Sequence, residues 1–385
     1  MKIGIDIRNI GKKRTGDETV FFNLTKNLAL IDFENEYSLF TDITDRGTLE
    51  KIARDLGLEN KNNFKIISLA TMSRFSWNFW TVPKYLRKNP VDVYLTQYIT
   101  PLFVPKKIKI VTIIHDISFN FFPQFIKISD LIFLKTLIRL ALKRANKIIG
   151  VSKFTRDEIV KYYKIDSTKV DFIHNAVSDD FMELATGKKE IMDSEKKTVK
   201  EKYNLPEKFI LYIGTLQPRK NLPLLIEAFM LLKNDSGNDL KLVIAGGRGH
   251  NYDKLIDKTI KENELGEDVF FPGFIPEMDK AAILAAAQVF CFPSLYEGFG
   301  IPILEAMSVG TPVVASDIAP HREIAAGAAL FFNPNVVGEL AEKIRELVKN
   351  DVVHDNFAEK GRKQALEFSW KKTAEKMVAV FESFD

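Results

Sequence analysis

One segment of the chain combines two carboxylates with two glycines at the start of a predicted helix. Residues 294–305 read SLYEGFGIPILE, with Glu297 in the loop and Glu305 expected in the first helical turn. Gly298 and Gly300 let the backbone approach a ligand closely, and a helix N-terminus attracts an anion. The segment therefore favours a phosphate flanked by hydroxyls, as in a nucleotide sugar. The alternative is that Glu305 only complements its helix dipole and Glu297 is a surface residue.

Two adjacent cations mark a second strand-to-helix connection. The stretch GTLQPRKN (214–221) follows an apolar run and contains Arg219 and Lys220. Ligands of doubly wound sheets bind at the carboxyl ends of the strands, where these side chains are expected. Two cations there could stabilise a departing diphosphate, although a solvated Arg-Lys pair is the alternative interpretation.

The first half of the chain offers a histidine and a polar loop in equivalent positions. His115 follows the predicted strand 110–114, and the loop RTGDE (14–18) follows the first strand. A histidine at a strand's carboxyl end can hydrogen-bond a substrate hydroxyl. The sequence predicts that His115 and the loop line one crevice, unless the histidine is simply a core residue.

The hydrophobic pattern of the sequence predicts the strands and helices that would position these candidate residues. Short β-rich runs alternate with helical stretches through the first half, and the pattern restarts near Phe209. Such alternation indicates parallel, doubly wound sheets. We expect domains at 1–180 and 181–369, with a final helix over 370–385. The stretch 176–205 is charged and poor in large apolar groups, and is expected to be a solvated linker or loop.

Composition and charge narrow the classes of protein further. The chain has 385 residues, 46% of them apolar, which predicts two or three soluble domains. Its one cysteine, Cys291, excludes a disulfide scaffold and lies in an apolar run that predicts a buried thiol. Residues 51–150 hold 17 Lys and Arg against 5 Asp and Glu. That excess suits a membrane surface, a phospholipid or a polyphosphate, whereas nucleic acid is disfavoured because no aromatic-basic recognition motif occurs.

Several motifs do not occur in the sequence. There is no Asp-x-Asp pair, no Walker-type loop, no Gly-x-Gly-x-x-Gly after the first strand and no His-Glu-x-x-His. Classical NAD binding, P-loop hydrolysis and zinc hydrolysis are therefore disfavoured. The amino terminus shows no signal-peptide pattern and no stretch has the ~18 apolar residues of a membrane span. We expect a cytoplasmic protein.

With these residues in view, the chain resembles family 4 of the retaining glycosyltransferases, the glycosyl transferases group 1, over nearly its whole length. The segments that carry the resemblance are EGFGIPILEAM (297–307) with its Glu-x7-Glu motif, GTPVVASD (310–317), GTLQPRKN (214–221), HD (115–116), VSKFT (151–155) and FSW (368–370). The resemblance implies the GT-B fold, with two Rossmann-like domains facing a deep cleft and the last helix packing back on the first domain.

The resemblance also implies roles for the residues singled out above. Arg219 and Lys220 would bind the donor diphosphate and stabilise it as leaving group. Glu297 would contact the donor sugar, Glu305 would hold the ribose hydroxyls, and His115 would touch the sugar from the acceptor side. The implied catalytic set is Arg219, Lys220, Glu297 and His115. The remaining donor contacts would come from Gly214, Thr215, Phe299, Gly300 and Ile301.

One loop departs from the family pattern. Where the family usually has Gly-Gly-Ile-Gly or Thr-Gly-Ile-Gly, this chain reads TGDE (15–18). Carboxylates at Asp17 and Glu18 would repel a diphosphate. We therefore expect Gly16, Asp17 and Glu18 to address the acceptor or to move on donor binding.

The resulting prediction is a metal-independent, retaining hexosyltransferase of polysaccharide biosynthesis without a cofactor. Its donor would be a nucleotide-diphosphate sugar, with GDP-mannose first and UDP-sugars open, and its acceptor a glycan or lipid-linked glycan. The basic region 51–150, with Trp77, Phe79, Trp80 and Tyr85, suggests peripheral contact with the inner face of the membrane, unless these aromatics are core. Other readings stay open: a nucleotide-sugar epimerase, a phosphorylase (for which no pyridoxal-phosphate lysine is found), or a non-catalytic nucleotide-sugar-binding or glycan-binding partner.

Overall fold

The computed structural model describes residues 1–12, 16–233, 239–249 and 251–384, with Arg74 and Ser129 described by their backbone alone. The chain forms two compact units. The first contains Met1–Pro123, Lys127–Asn175 and Trp370–Asp385, and the second contains Gln124–Ile126 and Ala176–Ser369. The boundary thus lies at 175/176, five residues before the expected one.

The first unit is built on a seven-stranded sheet whose described strand pairs are all parallel. Its strand order is β3-β2-β1-β4-β5-β6-β7. The interior strands are almost wholly buried, as continuous apolar runs in parallel sheets usually are. The strands are β1 (Lys2–Asp6), β2 (Glu36–Thr41), β3 (Phe64–Ser68), β4 (Val93–Gln97), β5 (Lys109–Ile114), β6 (Lys147–Gly150) and β7 (Val170–Phe172).

Helices of the first unit connect these strands. They are α1 (Gly16–Ile31), α2 (Arg46–Asp55), α3 (Arg74–Ser76), α4 (Val82–Lys88), α5 (Ile128–Arg144) and α6 (Lys153–Tyr163). The stretch 77–86 contains a π-helical turn at Trp77–Thr81 before α4 begins. Helix α6 begins after Ser152, which caps it by accepting a hydrogen bond from the Thr155 N–H at 3.0 Å.

The second unit repeats the architecture with a six-stranded sheet of order β10-β9-β8-β11-β12-β13, again parallel in every described pair. The strands are β8 (Phe209–Ile213), β9 (Lys241–Ala245), β10 (Val269–Gly273), β11 (Val289–Phe292), β12 (Val313–Ser316) and β13 (Leu330–Phe332). The Cys291 thiol in β11 is fully buried, and burial raises its pKa, which confirms the prediction of a buried thiol.

The prediction of a solvated linker or loop over 176–205 was wrong, because helices of the second unit lie in this stretch. The helices of the second unit are α7 (Asp179–Ala185), α8 (Asp193–Lys202), α9 (Leu222–Lys233), α10 (Leu255–Glu262), α11 (Glu277–Ala286), α12 (Ile301–Ser308), α13 (Ala319–Ala325), α14 (Val337–Lys349) and α15 (Asp351–Ala365). Helix α8 buries only Val199 among ten residues. Because α8 packs on its unit through one apolar side chain, its other residues are polar. Such a composition is also typical of a solvated loop.

The last helix, α16 (Trp370–Glu382), belongs to the first unit, where it packs against α1. It buries Trp370, Met377 and Phe381. The Thr373 hydroxyl donates to the His174 carbonyl at 2.7 Å. Among the described residues no helix is long and apolar enough to cross a bilayer.

Each sheet reverses its strand order once, and that point determines where a ligand can bind. The reversal falls between β1 and β4 in the first unit and between β8 and β11 in the second. Outside the carboxyl ends of two such strands the connections leave in opposite directions, which opens a crevice. The candidate loops 214–221 and 294–300 follow β8 and β11 respectively, so both lie at the reversal of the second sheet.

Candidate functional site

The two predicted donor segments meet at the strand-order reversal of the second sheet. Glu297 accepts a hydrogen bond from Arg219 Nη1 at 3.1 Å and another from Lys220 Nζ. Arg219 Nη1 also donates to the Tyr296 carbonyl at 3.1 Å, and the Leu295 N–H donates to the Arg219 carbonyl at 2.8 Å. We call Arg219, Lys220 and Glu297 the β8–β11 cluster. Its two cations and one carboxylate leave a net charge of +1.

Burial makes this cluster electrostatically strong. Both Glu297 and Lys220 are buried, and Lys220 Nζ lies 5.0 Å above the Phe292 ring. Burial alone would raise the pKa of Glu297, but the charges of Lys220 and Arg219 lower it to about 2. The carboxylate therefore stays ionised and holds both cations at the strand ends. A net positive charge in a site of reduced dielectric constant favours an anionic ligand.

Local backbone conformation positions these side chains. Lys220 ends a one-turn 3-10 helix, Pro218–Lys220, and Asn221 follows with φ of +57°. Asparagine tolerates this left-handed conformation better than most residues, and its Nδ2 donates to the Pro334 carbonyl at 2.9 Å. The turn is thereby held with its cations beside Glu297.

Gly300 and the residues around it begin helix α12. Gly300 is the N-cap residue, and its φ of +126° is one that residues with a side chain rarely adopt. Ile301 is the first helical residue, and the buried Phe299 packs edge-on against Phe368 with ring centroids 5.9 Å apart. The first turn of a helix has no intrahelical partner for its N–H groups, so α12 presents its amino terminus beside the cluster.

Gly214 and Thr215 lie under the same edge of the sheet. A Cβ at Gly214 would come 2.5 Å from the Tyr212 hydroxyl oxygen, so a larger residue there would displace the Tyr212 ring. The Tyr212 hydroxyl donates to the Thr215 carbonyl at 2.8 Å. These contacts explain both residues through local packing, and a donor contact by either stays a prediction.

Glu305 lies elsewhere than expected along its helix. Because α12 begins at Ile301, Glu305 falls in the second turn, and the prediction of the first turn was wrong. The carboxylate is buried and accepts from Lys280 Nζ at 2.7 Å, and Lys280 also contacts Glu277 at 3.0 Å. Burial raises the pKa of Glu305, an effect that Glu277 reinforces and Lys280 opposes. Glu305 thus belongs to a separate ion cluster whose lysine the sequence prediction missed.

His321 is a second residue that sequence reasoning missed. It is fully buried, its Nδ1–H donates to the Ser316 carbonyl at 3.0 Å, and its ring lies 5.3 Å from that of Phe292. Its Nε2 has no hydrogen-bond partner among the described residues. Burial lowers the pKa of His321 to about 4, although the charge of Glu297 opposes this. In the sequence, the one feature that could have pointed to His321 is its position shortly after β12, the strand beside β11.

In the first unit, His115 and Asp17 come together as expected. His115 Nε2 lies 3.9 Å from Asp17 Oδ1 and 2.7 Å from Gln97 Oε1, a partner that the prediction missed. Tyr98, whose ring is 5.5 Å from that of His115, has φ of +52°. A non-glycine residue in that region stores strain, which proteins often place at functional sites.

Glu18 lies in the loop that departs from the family pattern. Its side chain is buried and its Oε1 accepts from the Gly11 N–H at 2.9 Å. The carboxylate thus supports its own loop, whereas Gly16, the first residue of α1, is exposed. Arg14 and Thr15 lie outside the described residues. A contact of Gly16, Asp17 or Glu18 with the acceptor stays a prediction.

The first sheet holds an ion cluster of its own at its strand-order reversal. Asp6, at the end of β1, receives a two-pronged contact from Arg8, whose Nε and Nη2 lie 3.0 Å from Asp6 Oδ1 and Oδ2. Trp77 Nε1 donates to the same carboxylate at 3.0 Å, and the Arg8 guanidinium lies 4.6 Å from the Trp77 ring. We call Asp6, Arg8 and Trp77 the β1 cluster. In the part of the chain that the structure describes, no group of three or more His, Cys, Asp and Glu side chains is arranged to hold a metal ion.

Comparison with known proteins identifies the family of this chain. The family model Glycosyl transferases group 1 matches residues 193–364, and the model Glycosyltransferase Family 4 matches residues 16–181. O-antigen chain mannosyltransferase B of Escherichia coli is 31% identical over 273 residues, covering 70% of this chain and 69% of that protein. O-antigen chain mannosyltransferase RfbU of Salmonella typhimurium is 28% identical over 277 residues, covering 71% and 70% respectively.

Solved structures share the fold. The crystal structure of Anabaena Alr3699/HepE in complex with UDP and glucose superimposes with a TM-score of 0.74, covering all of both chains at 17% sequence identity. At this low identity the structural similarity is informative about the fold alone. It confirms the predicted GT-B class with two Rossmann-like domains. Together with the family models and the mannosyltransferase relatives, it shows that this chain belongs to the group 1 glycosyltransferases of the family 4 type.

Proposed function

We propose that this glycosyltransferase moves mannose, with retention of configuration, from a nucleotide-diphosphate sugar to a glycan or lipid-linked acceptor in polysaccharide biosynthesis. The observation that carries the donor assignment is the net positive β8–β11 cluster at the strand-order reversal, beside the amino terminus of α12. Mannose is favoured because two relatives that match about 70% of the chain are named mannosyltransferases.

Within this proposal, Arg219 and Lys220 neutralise the diphosphate as charge develops on it. The bond between the anomeric carbon and the phosphate oxygen breaks, and a bond from the acceptor oxygen forms on the same face. The acceptor's hydroxyl proton passes to the departing phosphate, so that no protein nucleophile is required. Cations preorganised where charge develops are among the strongest contributions to catalysis, and here they take the part that a metal ion plays in other transferases.

The carboxylates of Glu297 and Glu305 bind different parts of the donor. Glu297 accepts from the sugar hydroxyls through its remaining lone pairs, and Glu305 accepts from the ribose diol. Gly300 and Ile301 contribute main-chain N–H groups to the donor. His115, held by Gln97 and close to Asp17, contacts the acceptor side of the sugar.

GDP is the first candidate for the nucleotide and UDP the second. GDP follows from the mannosyltransferase relatives, since GDP-mannose is the donor that the family resemblance suggests. UDP is supported by the similar solved structure, whose complex contains UDP and glucose. We place the enzyme in the cytoplasm, at the inner face of the membrane where a lipid-linked acceptor would be met.

Ligand-induced stabilisation tests this proposal directly. GDP, UDP, ADP and their common sugar conjugates are each added to the protein at about 100 times the dissociation constant, which should add about 2.7 kcal/mol of stability for the true nucleotide. Stabilisation by GDP, followed by transfer from GDP-mannose to an acceptor in the presence of a chelator, would support the donor and the metal independence.

Three other outcomes would overturn parts of the proposal. A changed sugar nucleotide released without acceptor would identify an epimerase. Nucleotide binding without any turnover would identify a binding partner. A product with inverted configuration, measured by NMR of the new linkage, would exclude the retaining mechanism.

A further inference from the structure

Two oxygen atoms lie near the same ring nitrogen of His115. Gln97 Oε1 is 2.7 Å from His115 Nε2, within hydrogen-bond distance, and Asp17 Oδ1 is 3.9 Å from the same nitrogen. A neutral imidazole carries one proton, so one ring nitrogen donates and the other accepts. The partner of one nitrogen determines which of the two is protonated. An amide oxygen and a carboxylate beside Nε2 therefore place the proton on Nε2 and leave a lone pair on Nδ1.

Neighbouring elements of the first unit hold these groups together. Gln97 ends β4 and is paired with Ile113 of β5, two residues before His115. The Tyr98 N–H donates to the Ile113 carbonyl at 3.1 Å, which ties the chain after β4 to the end of β5. Asp17 lies in the first turn of α1, where the family pattern has an isoleucine. The carboxylate beside the imidazole is therefore a feature of this chain and not of the family pattern.

The other ring nitrogen of His115 is open to a ligand. The side chain is 11% exposed, so a small part of the ring reaches the surface of its unit. Nδ1 has no hydrogen-bond partner among the described residues, and it is not one of the fully enclosed polar atoms that lack a partner. The polar atom of His115 that a substrate can meet is therefore Nδ1.

We infer that Gln97, assisted by Asp17, holds His115 as the Nε2–H tautomer, so that Nδ1 accepts a hydrogen bond from a hydroxyl of the transferred sugar. Gln97 is then a positioning residue, because it acts on the substrate only through His115. A sugar hydroxyl has a proton to donate, whereas a carboxylate or phosphoryl oxygen at the same place has none. His115 thus selects a neutral hydroxyl. This role rests on the proposed function, but the tautomer is a property of the free protein.

Nuclear magnetic resonance can measure the tautomer without any substrate. In protein labelled with ¹⁵N-histidine, two-bond ¹H–¹⁵N correlations distinguish a protonated ring nitrogen from one that carries a lone pair. At about pH 8, above the ordinary titration range of histidine, we expect His115 to give the signals of the Nε2–H form alone. The variant His115→Gln identifies these signals among the five histidines of the sequence by their loss. A proton on Nδ1, or shifts averaged over both tautomers, would overturn the inference.

The substitution Gln97→Met removes the acceptor oxygen at a similar side-chain length. We expect the His115 signals to move towards the average of the two tautomers, and kcat/KM for transfer from GDP-mannose to fall about tenfold, as for one lost hydrogen bond. Gln364→Met is the matched control, because this half-buried glutamine of the second unit donates to the Ile324 carbonyl at 2.7 Å. Equal kinetics for the two variants would contradict a role of Gln97 in the reaction.

A double-mutant cycle tests whether Gln97 acts through His115. In a His115→Ala background, Gln97→Met should change kcat/KM by less than about twofold, since the side chain that it positions is absent. A further tenfold loss in that background would give Gln97 a substrate contact of its own and end its assignment as a positioning residue. If a variant does not fold, the spectrum of the unmodified protein still decides the tautomer.

Analogues of GDP-mannose test the direction of the hydrogen bond to the substrate. Fluorine in place of a hydroxyl cannot donate a proton, and hydrogen in its place can neither donate nor accept. At the position that His115 contacts, we expect the fluoro and the deoxy analogue to bind about tenfold more weakly by calorimetry. Both penalties should vanish in His115→Ala.

Two results with these analogues would contradict the inference. One is a fluoro analogue that binds as tightly as GDP-mannose at the position of the His115-dependent deoxy penalty, because His115 would then donate. The other is the absence of a His115-dependent penalty at every hydroxyl. A protein that shows the Nε2–H tautomer but binds no GDP-mannose would instead contradict the proposed function and leave the tautomer assignment in place.

Discussion

The two sheets carry ion clusters at equivalent points of their topology, and the clusters differ in charge balance. In the first unit, Asp6 and Arg8 form a neutral pair that Trp77 completes by donating to the same carboxylate. In the second unit, Glu297 faces two cations, Arg219 and Lys220. The formal charges thus sum to zero for Asp6 and Arg8 in the β1 cluster and to +1 for the three residues of the β8–β11 cluster.

On this difference we base the proposal of a structural role for the β1 cluster and a binding role for the β8–β11 cluster. A neutral ion pair in a buried position gains little from an added ligand, and removing one partner leaves an uncompensated charge. A cluster with excess positive charge gains from an anion that completes it, as a donor diphosphate would. Both reversals have the position of a ligand site, and the formal charge is the reason why we propose that the phosphate binds at the second one.

The largest expected effect is on transfer by the Lys220→Met variant. We expect kcat/KM to fall about 1,000-fold, or ~4 kcal/mol, because a preorganised cation at the leaving group is lost. The free energy of unfolding should fall by only about 1 kcal/mol, since Arg219 still pairs with Glu297. Steady-state kinetics and urea unfolding measure the two quantities. Equal kcat/KM for the variant and the wild type would show that Lys220 does not contribute to transfer.

The Arg8→Met variant should show the opposite pattern. Its unfolding free energy should fall by about 3 kcal/mol, because Asp6 is left buried without its cation. Nucleotide affinity, measured by calorimetry, should stay within about twofold of wild type. The double variant Asp6→Asn with Arg8→Met should recover much of the stability. A large loss of nucleotide affinity in the folded Arg8 variant would break the contrast between the two clusters.

The smallest of these effects is a pH dependence in the second unit. The pKa of His321 is about 4 in the folded protein and ~6.5 when unfolded. Between these two values His321 is protonated in the unfolded chain and neutral in the folded protein. The free energy of unfolding therefore decreases as the pH falls from about 6.5 to about 4. We expect a loss on the order of 2 kcal/mol.

The His321→Gln variant provides the control for that measurement. Its unfolding free energy, followed by urea titration from pH 7 to 4, should lack this component of the loss. Glu297 contributes in a lower window, because its folded pKa of about 2 lies below its unfolded one. Its stabilisation is present above pH ~4.5 and lost as the pH falls towards 2. Identical curves for wild type and variant between pH 6.5 and 4 would exclude a buried, neutral His321.

Much of the fold could be predicted because parallel sheets leave a strong pattern. Strand β5 was predicted at 110–114 and is observed at Lys109–Ile114, because this mainly apolar run is buried within the sheet. Helix α2 was missed because Ile52 is its single buried residue. Helix α8 was missed for the same reason, with Val199 alone buried. Peripheral helices with one apolar contact resemble loops in sequence.

The candidate site shows the same division between local and distant information. Glu297, Arg219 and Lys220 could be singled out because each lies in a short segment whose residue types imply anion binding. Lys280 and His321 could not, because their importance comes from neighbours 25 and 24 residues away, Glu305 and Glu297. The hydrogen bond that Glu18 accepts from the Gly11 N–H could not be predicted either, since it depends on how the loop packs.

The amino-acid sequence by itself determined the alternation of strands and helices, the two parallel sheets and the segments that follow their strands. Those features depend on hydrophobic periodicity and on local turn residues, which act over a few positions. Only the tertiary structure decided which charges meet, which reversal keeps a net positive charge, and which aromatics are core or surface. Trp77 and Trp80 are three residues apart, yet one is fully buried on Asp6 and the other is 66% exposed. Their difference arises from the sheet beneath them, because burial depends on partners that are distant in the sequence.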